Sequence, residues 1–449
     1  MCNKGYKIFL SELSENDNLF FYLVLTDDVL HSVISSPSIL FIKCFETNEL
    51  CYIVFNHQDD INSGVNINEL IVDIDNFKGK KFVFDKKKFI QHIPIKNALD
   101  INLGIYFKND KIINNVEYET PAHKFIKSNC NKYDNLNKVI PLLKHKELVE
   151  NIFDDIKKIK KYDIFNESYY EKTNGIILET LSEIEKNGIY VDSEKFKKYF
   201  EINVSKENYV YSEYNLYTLT GRPSNRFNSV NYAALKKDNG ERECFVSRFK
   251  EDGKMVLIDY AAFHPRIICK LINFDIPLTV DIYEYFAKLL FNKENVDYHD
   301  IEDAKTLVFR QLYGGIEEEY SHILYFHNLK MYIDEMWVRF NTDGYIETPL
   351  FKRKITNKQI LDPYKLFNYL LQATEPEIAL SAVNEVNIFL REKKSKAILY
   401  TYDSILFDVS NDEMNLITKD VVSIMMCNNQ FPVKCYSGNS YNNLEKIEL

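Results

Sequence analysis

The sequence is poor in the residues that interrupt a packed core. Its 449 residues include only 13 glycines and 11 prolines, against 45% hydrophobic and 27% charged residues. Such a composition excludes a disordered or fibrous chain. The length is roughly two to three times that of a usual domain, so it predicts two or more domains with sizeable cores.

Signals for disulfides, zinc, secretion and membrane insertion are also missing. The eight cysteines form no Cys-x-x-Cys pair, and most lie in apolar runs. We therefore expect buried thiols in a reducing compartment. The N-terminus has no signal-peptide core, and no run of 18 apolar residues occurs. The sequence thus predicts a soluble, cytoplasmic protein with no membrane partner.

Arginine is absent from the first 221 residues, and all nine arginines follow that point. The net charge of -10 gives no overall attraction for nucleic acid, so any such surface must be local. A guanidinium can bind phosphates or base edges through two parallel hydrogen bonds. The asymmetry therefore favours an anion-binding surface in the C-terminal part, with a drift in composition as the alternative.

The N-terminal part is strand-rich. Between Phe20 and Leu103, β-branched and aromatic runs are separated by short polar turns, which predicts an α/β or mixed-sheet domain; the runs are FFYLVL, SILFIKCF, LCYIVF and KKFVFD. Residues 108–138 resemble a surface loop, and residues 142–161 a helix. A further helix is predicted over 175–188. We place the domain boundary near residue 165.

Two hydrophobic segments of the C-terminal part each carry an aspartate at an end. Residues 254–274 predict a buried strand ending at Asp259, followed by a helix that begins at His264-Pro265. Residues 396–409 predict a hairpin with Asp403 at its tip. If the two aspartates meet at one sheet edge, they can hold divalent ions for phosphoryl transfer. Turn chemistry alone is the alternative for each aspartate.

A third segment, residues 300–315, predicts a helix that ends at two glycines. Lys305, Phe309 and Tyr313 recur at i, i+4 and i+8 and so share one face. Such a face can neutralise a triphosphate and stack on a base. The alternative is a core stripe in which the lysine extends to solvent.

Together, five motifs resemble the ordered motif series of family A DNA polymerases over roughly residues 175–449. They are Thr220-Gly221-Arg222, Asp259-Tyr260-x-x-x-His264-Pro265-Arg266, Lys305-x-x-x-Phe309-x-x-x-Tyr313-Gly314, Asn368-x-x-x-Gln372 and Tyr402-Asp403-Ser404. The resemblance implies a template-directed polymerase that uses dNTPs and primer-template DNA. Lysine- and asparagine-rich usage suits a phage, whose protein would work in the host cytoplasm.

The resemblance implies roles for individual residues around the nucleotide. Asp259 and Asp403, with the main-chain carbonyl of Tyr260, are expected to bind two Mg²⁺ ions, with Mn²⁺ as an alternative. Lys305 is expected to contact the phosphates of the incoming nucleotide. Phe309 is expected to pack on its sugar and base.

The resemblance also implies contacts with the DNA and the sugar. Tyr313 is expected at the templating base, and His264 stands where the family usually has a glutamate that excludes ribose. The primer-template is expected to contact a further group of residues: Arg222, Arg353, Asn368 and Gln372. Contacts of this kind in the minor groove test the shape of a base pair with little sequence readout.

Other positions depart from the family. Ile301, four residues before Lys305, stands where an arginine is usual, which leaves His299 or Arg310 as substitutes. Ser404 replaces a glutamate. Only 32 residues separate Gly188 from Gly221, too few for a full helical thumb. We therefore expect low processivity unless a processivity factor clamps the DNA.

The N-terminal domain resembles the 3'-5' exonuclease domain of the same family, which has an RNase H-like fold. Asp85 aligns with one metal-binding acid, although a surface aspartate after a strand is the favoured interpretation. Asp154 or Asp155 is a second candidate. The expected Asp-x-Glu is missing, since residues 26–29 read Thr-Asp-Asp-Val. We therefore expect an inactive domain kept as a scaffold.

The expected fold is multidomain, α/β and α+β. An RNase H-like exonuclease-type domain over 1–165 precedes a right-hand palm and fingers polymerase domain over 166–449, with a reduced thumb over about 166–220 and the palm and fingers over 221–449. Two rival functions stay open. One is a relic that binds primer-template DNA without extending it, and the other is an active nuclease whose remaining chain is a DNA platform.

Overall fold

The computed structural model describes residues 5–27, 31–58, 63–108, 140–160, 163–202, 204–225, 230–356, 360 and 362–448. Contacts divide the chain into two compact units, 1–186 and 187–449. The division falls after the boundary expected near residue 165, because the intervening helices pack inside the first unit. For example, the Tyr170 hydroxyl donates to the main-chain oxygen of Asp100 at 2.9 Å.

A five-stranded mixed sheet forms the core of the first unit. Its strands are β1 (Leu19–Leu25), β2 (Pro37–Cys44), β3 (Leu50–Val54), β4 (Lys81–Val83) and β5 (Ala98–Asp100). The order is β3-β2-β1-β4-β5, with β1 antiparallel to β2 and parallel to β4. The four apolar runs of the sequence therefore form strands as expected. Nearly every residue of β1 is buried, as the central position requires.

Seven helices belong to the described part of this unit, and the last of them reaches the division. They are α1 (Tyr6–Ser11), α2 (Ile67–Asn76), α3 (Lys86–His92), α4 (Ile101–Lys108), α5 (Leu142–Lys160), α6 (Ser168–Lys172) and α7 (Leu178–Asn187). Leu70 and Ile74 of α2 pack into the core with Phe21 and Leu40 of the sheet. Gly188 follows α7 at φ 62°, which explains why the helix ends there. Of the predicted loop, residues 109–138 lie outside the described residues.

The acids considered as nuclease ligands do not form a cluster within the described residues. Asp85 caps α3, since its side chain accepts from the Lys88 amide at 3.2 Å. Asp154 is exposed on α5, and the side chain of Asp155 lies outside the described residues. Asp27 follows β1, whereas Asp28 is not described.

An antiparallel five-stranded sheet forms the core of the second unit. The strands of this unit are β6 (Ile189–Tyr190), β7 (Tyr209–Val210), β8 (Tyr214–Asn215), β9 (Ser224–Asn225), β10 (Gly253–Tyr260), β11 (Ile346–Glu347), β12 (Lys354–Ile355), β13 (Lys396–Thr401), β14 (Ser404–Ser410), β15 (Val433–Gly438) and β16 (Glu445–Ile447). The large sheet has the order β13-β14-β10-β15-β16, and the other strands form three two-stranded pairs. β10 and β14 pair antiparallel, so the predicted strand and hairpin belong to one sheet.

The described part of the second unit also contains eight helices. They are α8 (Ser193–Tyr199), α9 (Phe263–Leu271), α10 (Ile282–Phe291), α11 (Tyr298–Gly314), α12 (Leu324–Asp343), α13 (Pro363–Phe389), α14 (Met414–Leu416) and α15 (Val422–Met425). A reciprocal pair of side-chain caps, Asp297 and Asp300, begins α11, and Gly315 at φ 108° follows it. The 27-residue α13 begins with Asp362 as cap and proline at its first position.

The region expected to be a reduced thumb, about 166–220, has two parts: its first part is helical, with α6 and α7, and its second part contains little regular structure. Between Gly188 and Gly221 the described residues form one helix, the seven-residue α8, and two-residue strands. None of the helices in the described part of the chain has the length and apolar character needed to cross a bilayer. The described cysteines are free thiols, and all but Cys427 are buried.

A buried ion pair in the first unit gives a stability prediction. Lys87 pairs with Glu185, which is 1% exposed and also accepts from Gln91 Nε2 at 3.0 Å. Lys87→Met removes the countercharge of a buried carboxylate, so we expect a loss of about 3 kcal/mol in the free energy of unfolding, measured by guanidinium denaturation. Lys96→Met, at an exposed side chain, is the control and should change it by less than about 0.5 kcal/mol. Equal unfolding midpoints for the two variants would contradict the prediction.

Candidate active site

Two aspartates come together at one edge of the second unit's large sheet. Asp259 is the penultimate residue of β10 and pairs in register with Ser404 of β14. Asp403 immediately precedes Ser404, and its main-chain oxygen accepts from the Tyr260 amide at 3.0 Å. The two acids therefore lie on neighbouring chain segments, as the sequence predicts.

The turn that carries Asp403 has an unusual backbone. Thr401 and Ser404 pair across the hairpin, which leaves Tyr402 and Asp403 as a two-residue loop. Tyr402 adopts φ 61°, a left-handed conformation that is costly for a bulky residue. The guanidinium of Arg222 lies 3.7 Å from the centroid of the Tyr402 ring and stabilises this arrangement through a cation–π contact.

Both aspartates resist ionisation. Burial, followed by the charge of Asp403, raises the pKa of Asp259 to about 7, while Lys434, Lys237 and Lys305 act in the opposite direction. Burial and then the charge of Glu375 raise the pKa of Asp403. Two acids in this state need added positive charge to be ionised together.

The donor set fits a hard divalent cation. Carboxylate and main-chain carbonyl oxygens are the ligands that Mg²⁺ and Mn²⁺ prefer, and Asp259, Tyr260 and Asp403 offer both kinds. Orphaned polar atoms lie in the surrounding residues: Arg222 Nε, Asn368 Oδ1 and Thr401 Oγ1 are buried and have no hydrogen-bond partner within the described residues. Such atoms are explained if a polar ligand occupies the site.

A different group has a metal-like arrangement in the first unit. Ligand atoms of Asp17, Cys44 and Glu46 lie within 4.8 Å of one another. The Asp17 carboxylate accepts from the Ser14 amide at 2.7 Å, and that of Glu46 accepts from the Asn18 amide at 2.7 Å. The group is therefore explained by turn hydrogen bonds and carries no metal assignment.

The helix α11 presents the expected face. The rings of Phe309 and Tyr313 are stacked, with centroids 5.9 Å apart and an interplanar angle of 6°. Tyr283 of α10 lies 6.1 Å from Phe309, and the Lys305 ammonium lies 5.9 Å from the Tyr283 ring. The core side of α11 consists of other residues, among them Val308. Tyr313 remains 37% exposed and Phe309 is half-buried, which argues against a fully buried core stripe, whereas the exposure of Lys305 is expected under either interpretation.

His264 connects the sheet edge to α11. The helix α9 begins at Phe263, one residue earlier than expected, after Ala262 in a left-handed conformation at φ 50°. Nδ1 of His264 lies 2.5 Å from the Tyr313 hydroxyl, and its Nε2 lies 2.9 Å from the Glu375 carboxylate. His264 and Tyr313 therefore meet, although 49 residues separate them in the sequence.

Glu375 of α13 is a site residue that sequence analysis missed. Its side chain is fully buried and binds Arg222 Nη2 at 2.9 Å in addition to His264. The available signal was its spacing, since Glu375 follows Asn368 by seven residues and Gln372 by three and so lies on their helical face. Pro376 next to it removes the amide that would otherwise bond to the Gln372 carbonyl.

The residues expected to contact DNA lie around this centre in different ways. Asn368 Nδ2 donates to the main-chain oxygen of Tyr313 at 3.4 Å, and Gln372 is half-buried one turn further along α13. Arg353 donates to the main-chain oxygen of Thr220 at 2.5 Å. Gly221 has φ 72°, and a Cβ there would lie 1.7 Å from Arg353 Nη1, so glycine is required beside the guanidinium.

The two residues considered as substitutes for the missing arginine are less well placed to act as free cations. Arg310 pairs with Glu317 at 3.0 Å, and His299 is exposed near the beginning of α11. Lys434 pairs in register with Asp259 across β10 and β15, and its Nζ also lies 4.0 Å from the Asp281 carboxylate. Lys434 and Lys237 also precede Lys305 among the lysines that lower the pKa of Asp259.

Comparison with solved structures finds a match along nearly the whole chain. The matched structure is described as the POL domain of Pol1 from M. smegmatis in complex with DNA primer-template and dNTP; the alignment has a TM-score of 0.71 at 14% identity and covers 97% of this chain and 98% of that chain. This chain has the fold of a DNA polymerase domain. No family model matches the sequence. The expected polymerase-type fold is thus confirmed, and the roles of individual site residues remain predictions.

The raised pKa of Asp259 predicts how divalent ions and pH affect stability. The folded-state value of about 7 exceeds the ordinary value of about 4 for an unfolded aspartate, so the folded state holds the proton more tightly. The resulting stabilisation is complete below pH 4 and is lost as the pH rises through 7. Ions that bind the ionised pair should offset this loss, so Mg²⁺ or Mn²⁺ should raise the melting temperature at pH 8 and hardly at pH 5.

Calorimetry of single variants tests this prediction. Asp259→Asn should melt higher than the native protein at pH 8 without metal, because it removes one ionising acid, and should lose most of the metal-dependent shift. Asp412→Asn changes an exposed acid paired with Lys394 and should keep that shift. A full metal-dependent shift in Asp259→Asn would place the ions elsewhere.

Proposed function

We propose that this chain is a template-directed DNA polymerase of family A type, which adds deoxynucleotides to a primer 3'-hydroxyl by two-metal phosphoryl transfer. The observation that carries the proposal is a paired-acid edge beside an aromatic helix face, within a polymerase-domain fold. The primer-template DNA and dNTP of the matched structure support the choice of substrates.

In this proposal Asp259, Asp403 and the main-chain carbonyl of Tyr260 hold two Mg²⁺ ions, with Mn²⁺ as an alternative. The ions supply charge that activates the primer hydroxyl and stabilises the leaving oxygen. The raised pKa values of both aspartates agree with a site in which bound cations would stabilise the ionised carboxylates. Ser404, which stands where the family usually has a glutamate, pairs with Asp259 in the sheet. Both proposed acidic ligands are therefore present without that glutamate.

The incoming nucleotide would contact α11 and the sheet edge. Lys305, which interacts electrostatically with Asp259, would meet the phosphates, and Lys434 and Lys237 would add positive charge that Ile301 does not supply. In the stacked pair on α11, Phe309 would pack against the sugar and base of the nucleotide, and Tyr313 would lie at the templating base.

The primer-template would contact residues fixed around Glu375. Arg222 is held by that carboxylate and by the Tyr402 ring, so its guanidinium is oriented before DNA binds. Asn368 and Gln372 follow along the same face of α13. Arg353 would support Arg222 by bracing the Thr220–Gly221 segment, in addition to any contact with DNA.

We propose that the first unit is an exonuclease-like scaffold without nuclease activity. Its mixed sheet with flanking helices supports the likeness to an exonuclease domain. The capping role of Asp85 and the missing Asp-x-Glu support the lack of nuclease activity. The short elements between Gly188 and Gly221 support a reduced thumb, so we expect distributive synthesis that a processivity factor would extend.

The main rival is a relic that binds primer-template DNA without extending it. Three departures from the family suggest it: Ile301 in place of an arginine, Ser404 in place of a glutamate, and the reduced thumb. Binding alone does not require two aspartates held beside each other with raised pKa values, because acids oppose the approach of a phosphate backbone. We therefore favour the enzyme.

Extension of a labelled primer on a template with a 5' overhang tests the proposal. With Mg²⁺ and four dNTPs we expect extension by the native protein and a loss of at least about 1000-fold in Asp259→Asn and Asp403→Asn, since each removes a proposed metal ligand. Asp412→Asn should extend normally. A native protein that binds the duplex but never extends it would establish the relic.

Degradation of a labelled single strand, without dNTPs, tests the first unit. We expect no cleavage with Mg²⁺ or Mn²⁺, because no acid cluster suited to two metals occurs in its described residues apart from the turn-bonded Asp17 group. Cleavage that Asp85→Asn abolishes would instead support the nuclease with a DNA platform.

A further inference from the structure

Glu375 is the most completely enclosed acid near the candidate site. Its side chain is 1% exposed, yet the two groups that bind it, Arg222 and His264, come from other segments of the chain. A buried carboxylate is tolerated only with such partners. Because Glu375 lies in the middle of the long, buried helix α13, its position is fixed and its partners orient towards it.

The contact with His264 determines how the histidine can bond. With a proton on Nε2, the ring donates to the Glu375 carboxylate and presents Nδ1 as an acceptor. The Tyr313 hydroxyl lies at that acceptor, 2.5 Å away. Glu375 thus acts on the exposed face of α11 through one intermediate side chain.

This chain of contacts lies where a nucleotide sugar must pass. Under the proposed function, the phosphates meet the paired aspartates and the base meets the rings of α11. The sugar connects phosphate to base, so it must run past the contact between His264 and Tyr313. There the histidine Nδ1 and the tyrosine hydroxyl already bond to each other. The 2'-hydroxyl of a ribonucleotide would lose its hydrogen bonds to water there and could not replace them with bonds to these two groups. Ribonucleotide binding would therefore be weaker than deoxyribonucleotide binding.

We propose that Glu375 is a positioning residue that holds His264 against Tyr313 and so makes the site select deoxyribonucleotides over ribonucleotides. The proposal rests on the proposed function and deepens it, because it assigns the selection to an acid on α13 instead of one on α9. The second partner of Glu375, Arg222, is a proposed DNA contact, so its role is measured separately.

Nucleotide binding tests the proposal without requiring catalysis. The protein is loaded with a primer-template whose primer ends in a dideoxynucleotide, and the dissociation constants of the matching dNTP and rNTP are measured. The rNTP to dNTP ratio of these constants is the readout. Primer-template affinity is measured separately, because Glu375 also holds Arg222.

Three variants and one control follow from the contacts. Glu375→Ala and Tyr313→Phe should each lower the ratio by about tenfold, the upper size for one lost hydrogen bond, and the double variant should lower it no further. Glu377→Gln is the control: it lies two residues away on α13, is also buried, and binds Thr348 and the Phe351 amide instead. Its ratio should equal that of the native protein.

The outcomes separate the proposal from the proposed function. If the nucleotides bind and Glu375→Ala keeps the native ratio, or its effect adds fully to that of Tyr313→Phe, Glu375 does not act through this contact and the proposal fails alone. If Glu375→Ala does not fold, an unchanged ratio in Tyr313→Phe, which alters a partly exposed side chain, overturns it. If the native protein binds neither nucleotide, the proposed function fails together with it.

Discussion

The second unit is organised by the need to hold three carboxylates close together. Asp259 and Asp403 meet at the sheet edge, and the charge of Glu375 contributes to the raised pKa of Asp403. Like charges in a partly buried site repel strongly. Glu375 is compensated by Arg222 and His264, whereas the two aspartates have no ion pair of their own within the described residues. The unsatisfied charge is thus confined to the place where the proposed metals bind.

Backbone strain lies on both sides of this edge. Two non-glycine residues adopt positive φ angles there: Ala262, two residues after β10 ends, and Tyr402, within the β13–β14 turn. Each such residue costs of order 1 kcal/mol or more and persists only when its surroundings enforce it. Here the sheet pairing, the start of α9 and the Arg222–Tyr402 contact do so. The strain directs Asp403 and His264 towards one centre.

Local patterns in the sequence predicted the parts of the site that depend on short spacing. Alternation and apolar runs located β10 and the hairpin, and the i, i+4, i+8 spacing located the face of α11. The partners of Glu375 could not be obtained in this way, because 111 and 153 residues separate it from His264 and Arg222. The contact-based division after residue 186 likewise depends on contacts between distant segments, such as Lys87 with Glu185, which hold α7 in the first unit.

The described residues of the two units differ in how their acids are paired, and this contrast supports placing the proposed catalysis in the second unit. In the first unit, buried lysines pair with glutamates: Lys43 with Glu150, Lys86 with Glu179 and Lys87 with Glu185. Asp100, at the end of β5, accepts from the amides of Lys86 and Leu103, and burial raises its pKa to about 7.

Acids that accept hydrogen bonds from main-chain amides or pair with ammonium groups gain little from a divalent ion, because the ion must first displace the existing partners. The sheet edge of the second unit has the reverse arrangement, with two acids beside each other and lysines that lower the pKa of Asp259 without pairing with it. Added positive charge is therefore most stabilising there. The same physical rule supports a scaffold in the first unit and a metal-dependent site in the second.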